Sequence, residues 1–180
     1  MAVTPLRERT RREIEQQAIV LFSDKGYLAT SLQDIATAAG CSKATVLYHF
    51  TSKAAVLASV LEQPSALLAA LLDEASQLPP AEAQERTING FVDLGVQFRG
   101  LLNVLNEVIP SVLEIPELEG LVAAGDRLAR LLAGSDDPEQ IAMAEFAIHG
   151  LLGACRVEHL QYTEEQLRNL CVKATRRLLT

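Results

Sequence analysis

Three observations predict an all-α chain of about nine helices. Apolar residues recur at helical spacing from Ile14 to Leu178, glycines and prolines fall between those stretches, and two very short helices joined by a glycine turn occupy residues 31–50. The expected organisation is an N-terminal three-helix unit with helix-turn-helix spacing over residues 1–53, followed by a larger helical unit over residues 54–180.

The first helix carries Ile14, Ala18, Leu21 and Phe22 on one stripe and is stopped by Gly26 near residue 25. Ser31 caps the second: its hydroxyl accepts from a free backbone amide, and Asp34 complements the positive end of the helix. Leu32, Ile35, Ala36 and Ala39 form its buried side, and Gly40 supplies the positive φ of a tight turn. Ser42 caps the third helix. Val46 and Phe50 face inward there, leaving Lys43, Ala44, Thr45, Leu47, Tyr48 and His49 outside. A major groove about 12 Å wide admits one such helix, so these outward residues are the candidate readers of DNA.

The fourth helix starts at Ser52 with Val56, Leu57, Val60 and Leu61 and meets Pro64, which removes an amide donor and predicts a kink before the helix continues through residues 67–72. Pro79 and Pro80 end it and open a fifth helix holding Ile88, Phe91, Val92, Leu94 and Phe98. Gly100, Pro110 and Pro116 cut the middle into short pieces, of which residues 101–109 are the most apolar. A seventh helix runs to about residue 133. Residues 134–138, Gly-Ser-Asp-Asp-Pro, are a stop followed by a fresh start, and Thr163 with Gln166 forms a capping box for the last helix.

The chain as a whole is acidic, with a net charge of −7, but the charge is unevenly spread. Residues 1–53 hold seven basic and five acidic side chains, a balance of +2, which leaves −9 on the remainder. Arg7, Arg9, Arg11 and Arg12 crowd the N-terminus, placed either to reach DNA or to pair with Glu8, Glu13 and Glu15 on a wet helix face. At 180 residues and 49 % hydrophobic the chain can bury a substantial core. No apolar run approaching 18 residues is apparent, so no membrane span is expected, and the N-terminus lacks an apolar signal region, which predicts a cytoplasmic protein. Cys41, Cys155 and Cys171 are odd in number and far apart, which suits reduced, packed thiols; Cys41 reads as a small buried hydrophobe.

Residues 18–57 resemble the TetR-like bacterial transcriptional regulators. The resemblance is carried by Ala18, Leu21 and Phe22, Gly26-Tyr27, Thr30-Ser31, Ile35-Ala36, the run Ala39-Gly40-Cys41-Ser42-Lys43, Thr45, His49-Phe50, Ser52-Lys53 and Leu57. Two positions depart from the family pattern: Cys41 stands where valine is usual, and Leu47 where a tyrosine is common, with Tyr48 next to it. Carried over position by position, the resemblance implies phosphate contacts from Thr30, Ser31, Tyr48, His49 and Lys53. It implies base or groove contacts from Lys43, Ala44 and Thr45, with Ser42 and Leu47 at the edges of the same surface. From the residues alone, His49 equally suits a packed core position and Lys53 a solvated charge.

The last two helices carry Ile148, Leu151, Leu152 and Cys155 on one stripe and Leu167, Leu170, Cys171, Ala174 and Leu178 on another. Periodicity fits a shared interface or the chain's own core. The resemblance implies a homodimer through a four-helix bundle of these helices, and two readers about 34–36 Å apart would read a palindrome on double-stranded DNA. Phe91, Leu94, Phe98 and Leu102, with Asn103, Asn106 and His149 as polar groups, suit either an ordinary core or a pocket for a small apolar or amphipathic effector. The expected function is therefore a ligand-responsive repressor with no required cofactor and no membrane partner. A helical protein-binding adaptor would leave the outward residues of the third helix idle. An enzyme finds little support: there is no glycine-rich phosphate loop, and Cys155 with Glu158 and His159 is a weak metal or nucleophile signal.

Overall fold

The computed structural model describes residues 5–109, 115–154 and 162–179. Among the described residues there are nine α-helices: α1 (Pro5–Lys25), α2 (Leu32–Ala38), α3 (Lys43–His49), α4 (Lys53–Ala75), α5 (Pro80–Gln97), α6 (Arg99–Val108), α7 (Glu119–Ala133), α8 (Pro138–Ala154) and α9 (Glu164–Leu179). A short 3-10 helix, Pro116–Leu118, precedes α7. Pro110, Cys155, Glu158 and His159 lie outside the described residues, as does the side chain of Asn103.

The helices gather into two compact units, Met1–Glu62 with Asn103–Leu118, and Gln63–Leu102 with Glu119–Thr180. Compactness thus divides the chain after Glu62, nine residues beyond the expected break, because the buried Val56, Leu57, Val60 and Leu61 of α4 fall within the first unit. α4 is one uninterrupted helix with Pro64 inside it.

In the first unit, Ile14, Ala18 and Phe22 of α1 are wholly buried with Ile35 and Ala36 of α2 and Val46 of α3. Fully burying an isoleucine, valine or phenylalanine side chain contributes about 1.5–3 kcal/mol relative to exposure, so this stripe holds the three helices together. The rings of Phe22 and Tyr27 meet edge to face at 5.3 Å. Gly26 and Gly40 adopt φ of +87° and +63°, the left-handed region in which a side chain would be strained. Ser52 caps α4 by accepting from the Ala55 amide at 2.9 Å.

In the second unit, α5 packs on α7 and α9, and α8 packs on α7 and α9. Its core includes Leu72, Ile88, Val92, Leu132 and Ala144, each almost fully buried. Pro79 and Pro80 sit at the start of α5 as expected, and Gly134 ends α7 with φ of +65°. The Thr163–Gln166 capping box is formed in both directions, at 2.9 and 3.2 Å.

The expectation that no stretch is apolar enough to span a membrane needs correcting for α4, which among the described residues meets that standard by length and composition, with a mean hydropathy of 1.7. Some of its apolar residues serve as core, Val56, Leu57, Val60 and Leu61 in the first unit and Leu71 and Leu72 in the second, while Leu67 between them is exposed.

Candidate nucleic-acid interface

The surface built around α3 begins with its caps. Ser42 accepts from the Thr45 amide at 3.0 Å, and the two hydroxyls lie 2.9 Å apart. The Cys41 amide donates back to the Ala36 carbonyl at 2.9 Å, closing the turn around Gly40. Val46 and Phe50 are buried, which rotates Lys43, Ala44, Leu47 and Tyr48 into solvent and leaves Thr45 and His49 half-exposed. Tyr48 is 69 % exposed against 43 % for Leu47, so of the two adjacent candidates the tyrosine is the more accessible. Cys41 is half-buried, and burial pushes its thiol above the ordinary value, which makes it a poor nucleophile.

α2 carries a complete capping box. Ser31 accepts from the Asp34 amide at 3.1 Å, while Asp34 accepts from the Ser31 amide at 2.8 Å and from its hydroxyl at 2.6 Å. These bonds hold the Asp34 carboxyl below the usual range. The single proton of the Ser31 hydroxyl is thereby given to Asp34, so a phosphate reaching Ser31 has to displace a bond already made.

One edge of α3 is lined by α1. The guanidinium of Arg7 lies 5.5 Å from the Tyr48 ring, and the Tyr48 and His49 rings meet nearly at right angles at 5.3 Å. Burial, with Arg7 and Arg11 nearby, pulls His49 below its ordinary value, so at neutral pH its imidazole is uncharged. The other arginines follow the pairing alternative in part. Arg11 bonds Glu15 at 3.0 Å and Ser59 at 2.7 Å and covers the Phe50 ring at 4.4 Å, and Arg12 pairs with Glu8 at 3.8 Å.

Two of the expected phosphate contacts, Thr30 and Lys53, have partners within the chain at the turn before α2. Thr30 is 1 % exposed, and its hydroxyl donates inward to the Gly26 carbonyl at 2.7 Å. Lys53 reaches back across the same turn: its Nζ donates to the carbonyls of Tyr27 at 2.7 Å, Thr30 at 2.8 Å and Leu28 at 3.4 Å, and lies 4.2 Å from the Tyr27 ring. An ammonium has three protons to give, and all three are engaged. Burial draws its pKa down while Glu107 opposes the shift. Lys53 therefore ties the start of α4 to the loop between α1 and α2.

Residues 14–60 match the family model described as "Bacterial regulatory proteins, tetR family". The N-terminal segment belongs to the TetR family. Over 44 residues it is 48 % identical to the biofilm operon icaADBC HTH-type negative transcriptional regulator IcaR of Staphylococcus aureus, a match covering 24 % of each chain. The aligned part thus spans about a quarter of that relative. Over nearly the whole chain the fold is that of solved regulators: the ketosteroid transcriptional regulator KstR2 of Mycobacterium tuberculosis, with a TM-score of 0.76 at 14 % identity, covers 94 % of this chain and 92 % of its own. The fatty acid degradation regulator FadR of Bacillus halodurans, with a TM-score of 0.69 at 17 % identity, covers 99 % and 97 %.

Outside the TetR-family segment, the remaining expected site residues divide. Phe91, Leu94 and Phe98 are half-buried and Leu102 is buried in the second unit, while Asn106 is half-buried in the first. His149 is exposed, with Nδ1 turned to the Glu145 carbonyl of its own helix at 2.9 Å, so it does not join an apolar wall. An open depression of about 260 Å³ in the second unit is lined by residues such as Ala75, Leu78, Ala83, Arg130 and Ser135. Among the described residues no group of three or more His, Cys, Asp or Glu side chains is gathered as a metal site.

The expected partner-facing set divides between buried and exposed positions. Leu151, Leu152, Leu167 and Cys171 are buried in the chain's own core, where α8 and α9 pack on each other and on α5 and α7, and Ile148 is half-buried. Leu170, Ala174 and Leu178 do face solvent on α9. Sequence reasoning passed over Phe146, which is 68 % exposed on α8 beside exposed Gly150 and Gly153, at the positions i, i+4 and i+7. It also passed over Glu107 as a hydrogen-bond partner of the turn before α2. A large apolar residue spaced four before a glycine was the available signal for the first; the second had no local signal.

Proposed function

We propose that this chain is a transcriptional repressor that binds a palindromic operator as a homodimer and is released by a small apolar or amphipathic effector. The observation that carries the reading is α3: a capped helix of a TetR-family segment with Val46 and Phe50 buried and Lys43, Ala44, Thr45, Leu47 and Tyr48 turned outward. Its N-terminal residues suit base edges, and Tyr48 with His49 and Arg7 suits the flanking phosphates. The positive balance of residues 1–53 favours a polyanion although the whole chain is acidic.

The dimer reading rests on Phe146, Leu170, Ala174 and Leu178, an exposed apolar surface on the two last helices with glycines that permit close approach. The effector reading rests on the half-buried Phe91, Leu94 and Phe98. KstR2 and FadR, which share the fold, are named for ketosteroids and fatty acid degradation, molecules of the apolar or amphipathic class. An effector need only bind the DNA-incompetent state better, by a coupling of about 1–3 kcal/mol. A regulator of this kind works beside the chromosome, in the cytoplasm.

Lys43 and Thr45 supply the test. Replacing either by alanine is expected to relax preference at particular base pairs, by about 1–3 kcal/mol at the affected position, as read from competition binding with single-base operator variants. An equal loss on every duplex would show that these residues do not read bases.

A further inference from the structure

Within the first unit, Glu107 of α6 and Glu117 of the 3-10 helix bond to the chain on either side of the α2–α3 pair. Ahead of α2, the Glu107 carboxylate accepts two consecutive backbone amides, Tyr27 at 2.6 Å and Leu28 at 2.9 Å, one on each oxygen. Behind α3, Glu117 accepts from the Ser52 hydroxyl at 3.1 Å. The first contact spans 80 residues of sequence and requires a glycine: a Cβ on Gly26 would lie 2.7 Å from a Glu107 oxygen. Lys53 holds the carbonyls of Tyr27, Leu28 and Thr30, so the same turn is bonded through two amides by one charge and through three carbonyls by the opposite one.

Neither carboxylate is needed to bury the core of α1–α3, which is filled by Ile14, Ala18, Phe22, Ile35, Ala36 and Val46. What Glu107 adds is position, since α2 begins at its Ser31 cap immediately after the turn that Glu107 holds. We propose that Glu107 is a positioning residue for DNA reading, bracing the turn before α2 so that α3 is presented in one orientation, with Glu117 as a second brace behind α3. The inference rests on the reading of α3 as the DNA-contacting helix. A carboxylate accepting two amides is a strong and directional restraint, and ordering a binding element beforehand reduces what must be ordered on binding.

The test compares the full chain with Glu107→Gln, in which one oxygen is replaced by a group that cannot accept. Glutamine removes a negative charge, so simple electrostatics predicts tighter DNA binding. Positioning predicts the opposite: about tenfold weaker binding to a selected operator duplex, within the range usual for coupling, with an unchanged salt slope and faster amide hydrogen exchange at Tyr27 and Leu28. Glu107→Asp, which keeps both acceptors, is expected to recover part of the loss. Equal or tighter binding by Glu107→Gln overturns the inference, as does unchanged exchange at the two amides. A loss matched by an equal fall in the fraction of folded, DNA-active protein also overturns it, because it reduces Glu107 to a stabilising contact. If the unaltered chain retains no duplex at all, the reading of α3 falls too, which separates the two failures.

Discussion

Lys53→Met will lower the stability of the first unit by about 2 kcal/mol and leave the salt dependence of DNA binding unchanged. The lysine gives its three protons to the carbonyls of Tyr27, Leu28 and Thr30, and bonds from a charged donor are each stronger than neutral ones. Methionine keeps much of the apolar stem over the Tyr27 ring but leaves those carbonyls to find water. Urea denaturation reads the first effect, and the slope of log affinity against log salt the second. A slope lowered by about one, with stability intact, would return Lys53 to the role of a phosphate contact.

Phe146→Asp will have the larger consequence for function. The ring is 68 % exposed on α8, near glycines at which a Cβ would meet nothing within 4 Å, and Leu170, Ala174 and Leu178 are exposed on α9. A carboxylate at that position must either remain hydrated or be buried unpaired, and both oppose association. Because two linked readers gain roughly 100-fold to 10,000-fold over one, operator binding is expected to weaken by at least about 100-fold. The chain itself should stay folded, since Phe146 is not part of its core. Sedimentation should report a monomer where the unaltered chain gives a dimer. A variant that remains dimeric would place the partner surface elsewhere.

Local signals were legible in the sequence wherever a residue's partner lies within one helical turn. Ser31 with Asp34, Ser42 with Thr45 and Thr163 with Gln166 form the caps their spacing announces, and Gly26, Gly40 and Gly134 take the positive φ that ends their helices. The inward and outward sides of α3 were equally readable, because Val46 and Phe50 lie one helical turn apart on the same side. α8 was harder. It is apolar around much of its circumference, so periodicity joins Leu151 and Leu152 to a stripe without saying that they face inward and Phe146 outward. The partners of Lys53 and Thr30 were hidden for a different reason: their hydrogen bonds go to backbone carbonyls, which every residue possesses and no side-chain pattern marks. Glu107 bonds amides some eighty positions away, a relation that only the folded chain reveals.

Selection of bound sequences from a random pool of double-stranded DNA tests the central claim most directly. A dimer presenting α3 twice should enrich an inverted repeat whose half-sites are centred about one helical turn apart, or a multiple of it, with two chains bound per site. No enrichment, or a single unrepeated half-site occupied by one chain, would contradict it.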